Sequence, residues 1–281
     1  MSDTRIADRF VVQATVETSK LGLVQRAVDE RSSDTCFLLL VDEALSVDDA
    51  TLNQVIADNA LLDQANDVLL TTEWGRHDGR IWLRAEAGGG TLLSELLAAR
   101  ARTDMPALLN LGTALGRALE RATAVGVQHL DLGPHRVVLD GDDLNAPARV
   151  VGFGWWRLLP AYATGATAEG FYGQPEFMAA EICKGDEPTA TSDLYSAALV
   201  IWALAAGKPP FRSSQPLMTL KRQAIEKPLR LDLVKPALKG VKDLQAAIAV
   251  ALDKNPAKRP GAGQWLTTLT ELASKLAPEL A

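Results

Sequence analysis

Val150-Val151-Gly152-Phe153-Gly154 is the stretch on which the fold turns. Two β-branched residues run into a Gly-Phe-Gly step, and the run reads as the second arm of a small hairpin. Val137-Val138-Leu139 and Arg149-Val150-Val151 flank the turn residues Asp140-Gly141-Asp142. Ahead of the hairpin lies His129-Leu130-Asp131-Leu132-Gly133-Pro134, with Val150 nineteen positions beyond Asp131. After it come Pro175-Glu176-Phe177-Met178-Ala179-Ala180-Glu181 and then Ser192 to Ala206, which is apolar nearly all round and predicts a buried central helix. Helical spacing returns at about Leu217–Ile225, Lys242–Leu252 and Gly263–Leu276.

The N-terminal third has a different pattern. Phe10–Val16 and Cys36–Val41 are short β-type runs bounded by polar or turn residues. Asp48 to Leu62 carries apolar residues at helical spacing, with Ser46 as its expected N-cap. His77-Asp78-Gly79-Arg80 predicts a turn between Leu69-Leu70-Thr71 and Ile81-Trp82-Leu83. Past Gly88-Gly89-Gly90 the pattern becomes helical, over Leu92–Arg100 and then Met105–Val125, which Gly126 closes. The expected organisation is α+β: a small β-rich lobe over 1–87, a glycine hinge, and a larger helical lobe over 88–281, together one bilobal domain.

Composition narrows the function classes. A net charge of −6 leaves no excess of Lys and Arg for nucleic acid phosphates. Two cysteines, Cys36 and Cys183, exclude a disulfide scaffold and fit a reducing cytoplasm. With three histidines scattered along the chain, no cluster has zinc-ligand spacing. The longest apolar run, Ala197 to Ala206, falls far short of the roughly 20 residues that span a bilayer. Met1-Ser2-Asp3-Thr4-Arg5 lacks the form of a signal peptide. The chain is expected to be soluble, cytoplasmic and without direct membrane insertion.

Taken in order, the motifs from Val127 to Pro260 resemble the lower lobe of a bacterial, PknB-like serine/threonine protein kinase. His129–Leu139 looks like the catalytic loop, Gly152–Gly154 like the metal-binding tripeptide, and Ala179-Ala180-Glu181 like the end of the activation segment. Ser192-Asp193-Leu194-Tyr195-Ser196 resembles the helix start that supports the catalytic loop. Gly207-Lys208-Pro209-Pro210-Phe211 and Asn255-Pro256-Ala257-Lys258-Arg259-Pro260 resemble the next two signatures. The resemblance implies the two-lobed kinase fold, a buried Glu181–Arg259 ion pair, and Asp193 accepting hydrogen bonds from the catalytic-loop backbone.

It also implies a phosphate-handling apparatus, from which this chain departs. Gly152 stands in the place of the aspartate that grips magnesium, and Arg136 in that of the second, asparagine ligand. A guanidinium at a magnesium site repels the ion. Gly133 replaces the loop lysine and Leu39 the lysine that pairs with phosphates. No glutamate lies between Glu43 and Glu73 to pair with such a lysine; Asp58 is nearest and is expected to have little to hold. Glu17-Thr18-Ser19-Lys20-Leu21-Gly22 keeps one of the usual three glycines. Asp131, in the place of the catalytic base, is expected to be a loop carboxylate satisfied by backbone donors. Trp155-Trp156 are expected to fold into the cleft. The chain therefore reads as a pseudokinase: no enzyme, no cofactor and no metal.

Function is then sought on the surface. Thr267, Thr268 and Thr270 cluster near the expected end of the last helix and are candidates for phosphorylation, with Thr164 and Thr167 behind them. A phosphate adds about −1.5 to −2 charges and three acceptor oxygens, enough to create a docking site. The stripped site on a bacterial lower lobe is similar to the intracellular pseudokinase domain type of actinobacterial MviN-like peptidoglycan-precursor flippases. That resemblance implies a soluble domain of an inner-membrane protein, an active Ser/Thr protein kinase as modifier, and a phosphothreonine-reading forkhead-associated domain protein as partner. Two alternatives are a nucleotide binder in which Arg136 replaces the metal, and an allosteric partner of an active kinase.

Overall fold

The computed structural model describes residues 4–63, 65–87, 90–99, 103–159, 173–238 and 240–280. Its upper lobe is a six-stranded antiparallel sheet with one long helix. The strands are β1 (Arg5–Ile6), β2 (Phe10–Ser19), β3 (Gly22–Asp29) and β4 (Asp34–Val41), followed by helix α1 (Asp49–Ala60). A two-residue strand β5 (Val68–Leu69) precedes the hairpin β6 (Thr71–His77) and β7 (Arg80–Glu86). Spatial order in the sheet is β1-β2-β3-β4-β7-β6.

Alternation along β4 builds two cores at once. Cys36, Leu38 and Leu40 pack on one face with Ile6, Phe10 and Trp82. Phe37, Leu39 and Val41 pack on the other with Leu52 and Val55 of α1. Helix α1 is capped by Asp48, whose Oδ1 accepts from the Thr51 N–H at 2.8 Å; Ser46 is not the cap. The β6–β7 turn is a tight one, with positive φ at both Asp78 and Gly79. Leu69 lies outside that hairpin, contrary to the sequence expectation. Val68–Leu69 pairs in parallel with Val150–Val151 instead, so an upper-lobe segment is tied to the strand that ends at Gly152.

Below this lie β8 (Thr91–Leu92), α2 (Leu93–Ala98), α3 (Met105–Ala124), β9 (Val137–Leu139) and β10 (Ala148–Val151). These strands form the small sheet β5-β10-β9-β8. The lobe continues with α4 (Ala180–Lys184), α5 (Ser192–Ala206), α6 (Pro216–Ile225), α7 (Leu231–Val234), α8 (Val241–Ala251) and α9 (Ala262–Leu280). Helix α5 is buried along nearly its whole length and forms the centre of the largest apolar cluster, with α3, α8 and α9 around it. No helix among the described residues is long and apolar enough to cross a membrane.

Candidate functional site: the interlobe cleft and catalytic-loop cluster

The loop from His129 to Arg136 is held from below. Asp193, at the start of α5, accepts from the backbone N–H of His129 and of Leu130, each at 2.7 Å. Burial pushes the Asp193 carboxyl up to about 6 despite those two donors. His129 is buried, its Nε2 3.0 Å from the Val151 carbonyl oxygen and its ring edge-on to Phe153; burial lowers its imidazole to about 4, so it is neutral. A second anchor sits behind this one. Arg259 donates to both oxygens of Glu181 at 2.8 and 2.5 Å, and Ser192 donates to Glu181 at 2.6 Å. Burial alone would raise the Glu181 carboxyl, but Arg259 outweighs it and the net shift is downward.

Gly133, Pro134 and the short 3₁₀ turn Pro134–Arg136 carry Arg136 inward, where it is fully buried. Its Nε and Nη2 donate to Asp131 Oδ2 at 3.0 and 2.7 Å. Its Nη1 lies 2.5 Å from Glu17 Oε2, and Nη2 reaches Glu17 Oε1 at 3.1 Å. Glu17 belongs to β2, so one guanidinium joins the upper lobe to the catalytic loop. His135 Nε2 completes the group at 3.3 Å from Asp131 Oδ2. Asp131 is thus satisfied by Arg136 and His135 through Oδ2, not by backbone donors as expected. Its Oδ1 is buried with no hydrogen-bond partner among the described residues, and the residue borders a cavity of about 10 Å³. Burial pushes the Asp131 carboxyl up, Arg136 and then His135 push it down, and the result is well below the usual carboxylate range. A carboxylate held that strongly ionised is a poor proton acceptor until the arginine moves.

Ligand atoms of Glu17, Asp131 and His135 lie within 4.8 Å of one another, a spacing that suits a cation. The cation at this site is Arg136. The group carries two carboxylates against one guanidinium, so it offers no surplus positive charge to a triphosphate.

Gly152 also differs from a simple vacancy. Its φ is +98°, and a Cβ there would lie 3.1 Å from the Trp155 ring and 3.5 Å from Arg136 Cδ. Trp155 is 1% exposed, packs with Leu39, Val55 and Leu69 of the upper lobe, and donates from Nε1 to Thr71 Oγ1 at 2.9 Å. The Arg136 guanidinium lies over its ring, 5.0 Å from the centroid. Trp156, half-buried, donates to the Gln128 carbonyl at 3.1 Å. Phe37 and Leu39 share their buried cluster with Val24, Ala85, Val138 and Val151, so the two lobes meet through apolar side chains.

Asp58 has a partner that its sequence setting did not suggest. Arg157 Nε donates to its Oδ2 at 2.6 Å, tying α1 to the segment after Gly154. Glu17, His135 and Arg157 are the site residues that sequence reasoning missed. The one available signal was the surplus arginine at 136 and 157 beside unclaimed carboxylates.

Thr267, Thr268 and Thr270 are exposed, but they sit in the first half of α9 and not near its end. Each hydroxyl donates to the carbonyl four residues back, at 3.0, 3.0 and 2.9 Å. Thr164 and Thr167 lie outside the described residues.

The profile of the protein kinase domain matches residues 21–269. Serine/threonine-protein kinase pkn3 of Myxococcus xanthus is 24% identical over 267 residues, covering 92% of this chain and 49% of that protein. PkaB of Streptomyces coelicolor is 34% identical over 57% of this chain and 38% of its own length. PknK of Mycobacterium tuberculosis is 31% identical over 60% of this chain and 15% of its own length. The chain thus spans about half the length, or less, of these curated relatives. Among solved structures, the Mycobacterium tuberculosis PknI kinase domain aligns with a TM-score of 0.68 at 22% identity, covering 97% of this chain and 98% of that one. These findings overturn the expectation that the chain is not an enzyme: the relatives are named serine/threonine-protein kinases, which points to an enzyme.

Proposed function

This chain belongs to the protein kinase domain family, and from that premise we propose that it is a bacterial signalling domain switched by phosphorylation. In this reading a partner Ser/Thr protein kinase modifies it on threonine, and a forkhead-associated domain protein then docks on the phosphothreonine. Control of peptidoglycan synthesis is the process we assign to it, on the flippase-domain resemblance alone.

The observation that carries the reading is the ion group that partly buried Glu17 makes with the buried Arg136 and Asp131. It closes the cleft between β2 and the catalytic loop, so in this arrangement the groups open to a partner are on the surface. Phosphoryl transfer by the chain itself would start only after Arg136 left Asp131. Metal-free nucleotide binding is the weaker alternative, because Glu17 and Asp131 already neutralise the arginine that would have to hold the phosphates. Among the described threonines, Thr267, Thr268 and Thr270 are the candidates, and α9 must open locally for a kinase or a reader to reach them as extended peptide.

The test is incubation with an active bacterial Ser/Thr kinase and ATP, followed by mass spectrometry and pulldown of a forkhead-associated domain. Threonine phosphorylation with phosphate-dependent capture is expected. Absence of any phosphothreonine, or equal capture of the unmodified chain, ends the reading. Modification outside Thr267–Thr270 moves the site.

A further inference from the structure

Seven large apolar side chains are exposed among the described residues, and five of them, Leu217, Met218, Ile225, Leu229 and Leu233, fall within one stretch that runs from α6 through the connecting segment into α7. Surface leucines scattered singly need no explanation, whereas a run of this kind does. Leu217, Leu229 and Leu233 are 70%, 71% and 71% exposed, so they protrude rather than line a groove.

The backbone that presents them is firmly anchored. Thr219, Leu220, Gln223 and Ala224 are buried on the opposite face of α6, and the Gln223 amide donates to the Glu176 carbonyl at 2.8 Å. Trp202 Nε1 donates to the Leu229 carbonyl at 3.1 Å. Leu231 is fully buried beside Leu233. The outward apolar chains are therefore held out by structure.

Charge singles out the same segment. Residues 217 to 242 hold seven Lys and Arg against two acidic residues, in a chain whose whole balance is −6. Both acids are already taken, Glu226 by Arg222 at 3.1 Å and Asp232 by Arg230 at 2.6 Å. Lys221, Lys227 and Lys235 are exposed, and no ion pair holds them among the described residues.

We propose that this basic, apolar face of α6 and α7 docks peripherally on an anionic lipid bilayer. Protruding leucines separated by lysines match a surface whose headgroups are negative and whose interior accepts apolar groups at any spacing. A protein partner would need a pocket matched to each protruding side chain. The inference stands apart from the proposed function, since it uses none of the cleft residues or threonines.

The 281-residue chain is tested by co-sedimentation with phosphatidylcholine vesicles, with and without phosphatidylglycerol. Partition into the anionic vesicles only, reduced by added salt, is expected. Lys221→Gln, Lys227→Gln and Lys235→Gln should each weaken it about fivefold, as expected for a basic side chain near an anionic surface. Leu229→Ser and Leu233→Ser should each weaken it by about tenfold through lost apolar burial. Because all five positions are exposed, the variants should keep the parent melting temperature, which separates lost docking from lost folding. Failure to bind anionic vesicles, equal binding to neutral ones, or undiminished binding by these variants overturns the proposal. Capture by polyglutamate without vesicle binding also overturns it and identifies an acidic protein surface as the occupant.

Discussion

One ion group, Glu181–Arg259, lies behind the catalytic loop, and another, Glu17–Arg136–Asp131, lies in it; both are built from carboxylates and an arginine, and they differ in completeness. In the Glu181–Arg259 group the carboxylate receives three hydrogen bonds, while the guanidinium also serves the carbonyls of Asp253 and Thr191 at 2.8 and 3.2 Å. In the Glu17–Arg136–Asp131 group, Asp131 Oδ1 is buried without a hydrogen-bond partner among the described residues. A satisfied network fixes one structure; a partly satisfied one leaves energy to be gained by rearranging. The first group joins two parts of one lobe. The second joins two lobes, and its arginine is the piece that an opening cleft would have to move.

The two arginines should not prove equivalent. Arg259→Ala should cost about 3–5 kcal/mol in urea unfolding, because it strands Glu181 in the core. Arg136→Ala should cost less, about 2–3 kcal/mol, since opening of the lobes readmits water to Asp131 and Glu17. The variant should also acquire a property that the parent lacks. With the guanidinium gone, Glu17, Asp131 and His135 face one space, so magnesium or manganese should raise the melting temperature of Arg136→Ala and leave that of the parent unchanged. Loss of the same stability from both variants, with no metal response, would make the cleft group a second structural anchor.

Gly152 sharpens the contrast at a smaller scale. Restoring the family's aspartate with Gly152→Asp would restore a metal ligand if the site were merely vacant. Here it should cost about 1–3 kcal/mol, because φ is +98° and the new Cβ meets Trp155. Thermal melts with and without magnesium decide it, and a magnesium-stabilised Gly152→Asp would show that Trp155 gives way easily. Asp58→Asn, which removes the ion pair to the half-exposed Arg157, should cost no more than about 1 kcal/mol.

The lower-lobe anchor is legible only through the family resemblance: Asp193, Glu181 and Arg259 stand in its motifs in the right order, although the contacts they make span 63 to 78 residues. Helix α5 is legible because nearly every side chain is apolar. The cleft group is not, since Glu17 and Arg136 are 119 residues apart and meet only through the stacking of two lobes. Arg136 could be seen as an intruder in a metal site with Asp131 five residues away, but nothing in the chain names Glu17 as its second partner. Strand β3 is not legible because Gln25 and Arg26 interrupt its apolar alternation. Ser46 and Asp48 both have cap chemistry in the sequence, and only the fold shows that Asp48 accepts from the Thr51 N–H.

The smallest expected effect concerns two groups touching the same loop. His129, held neutral by burial at about 4 against 6.5 for the ordinary imidazole, refuses a proton that the unfolded chain accepts, so its contribution to stability falls as pH drops below 6.5. Asp193, raised by burial to about 6 from 3.8, keeps a proton that the unfolded chain releases, so its contribution rises as pH drops below 6. Between pH 6.5 and 5 the two act in opposite directions, and the parent's stability should change by less than about 1 kcal/mol. The depressed carboxyls Glu181 and Asp131 add nothing in that window, because their unfolded values, near 4.5 and 3.8, lie below it. His129→Gln removes one side of the balance, so the variant should gain about 1 kcal/mol as pH falls from 6.5 to 5. Urea midpoints at both pH values read the sign directly. A variant that loses stability over that range would mean that Asp193 is ionised in the folded protein, held by the His129 and Leu130 amides more strongly than burial opposes them.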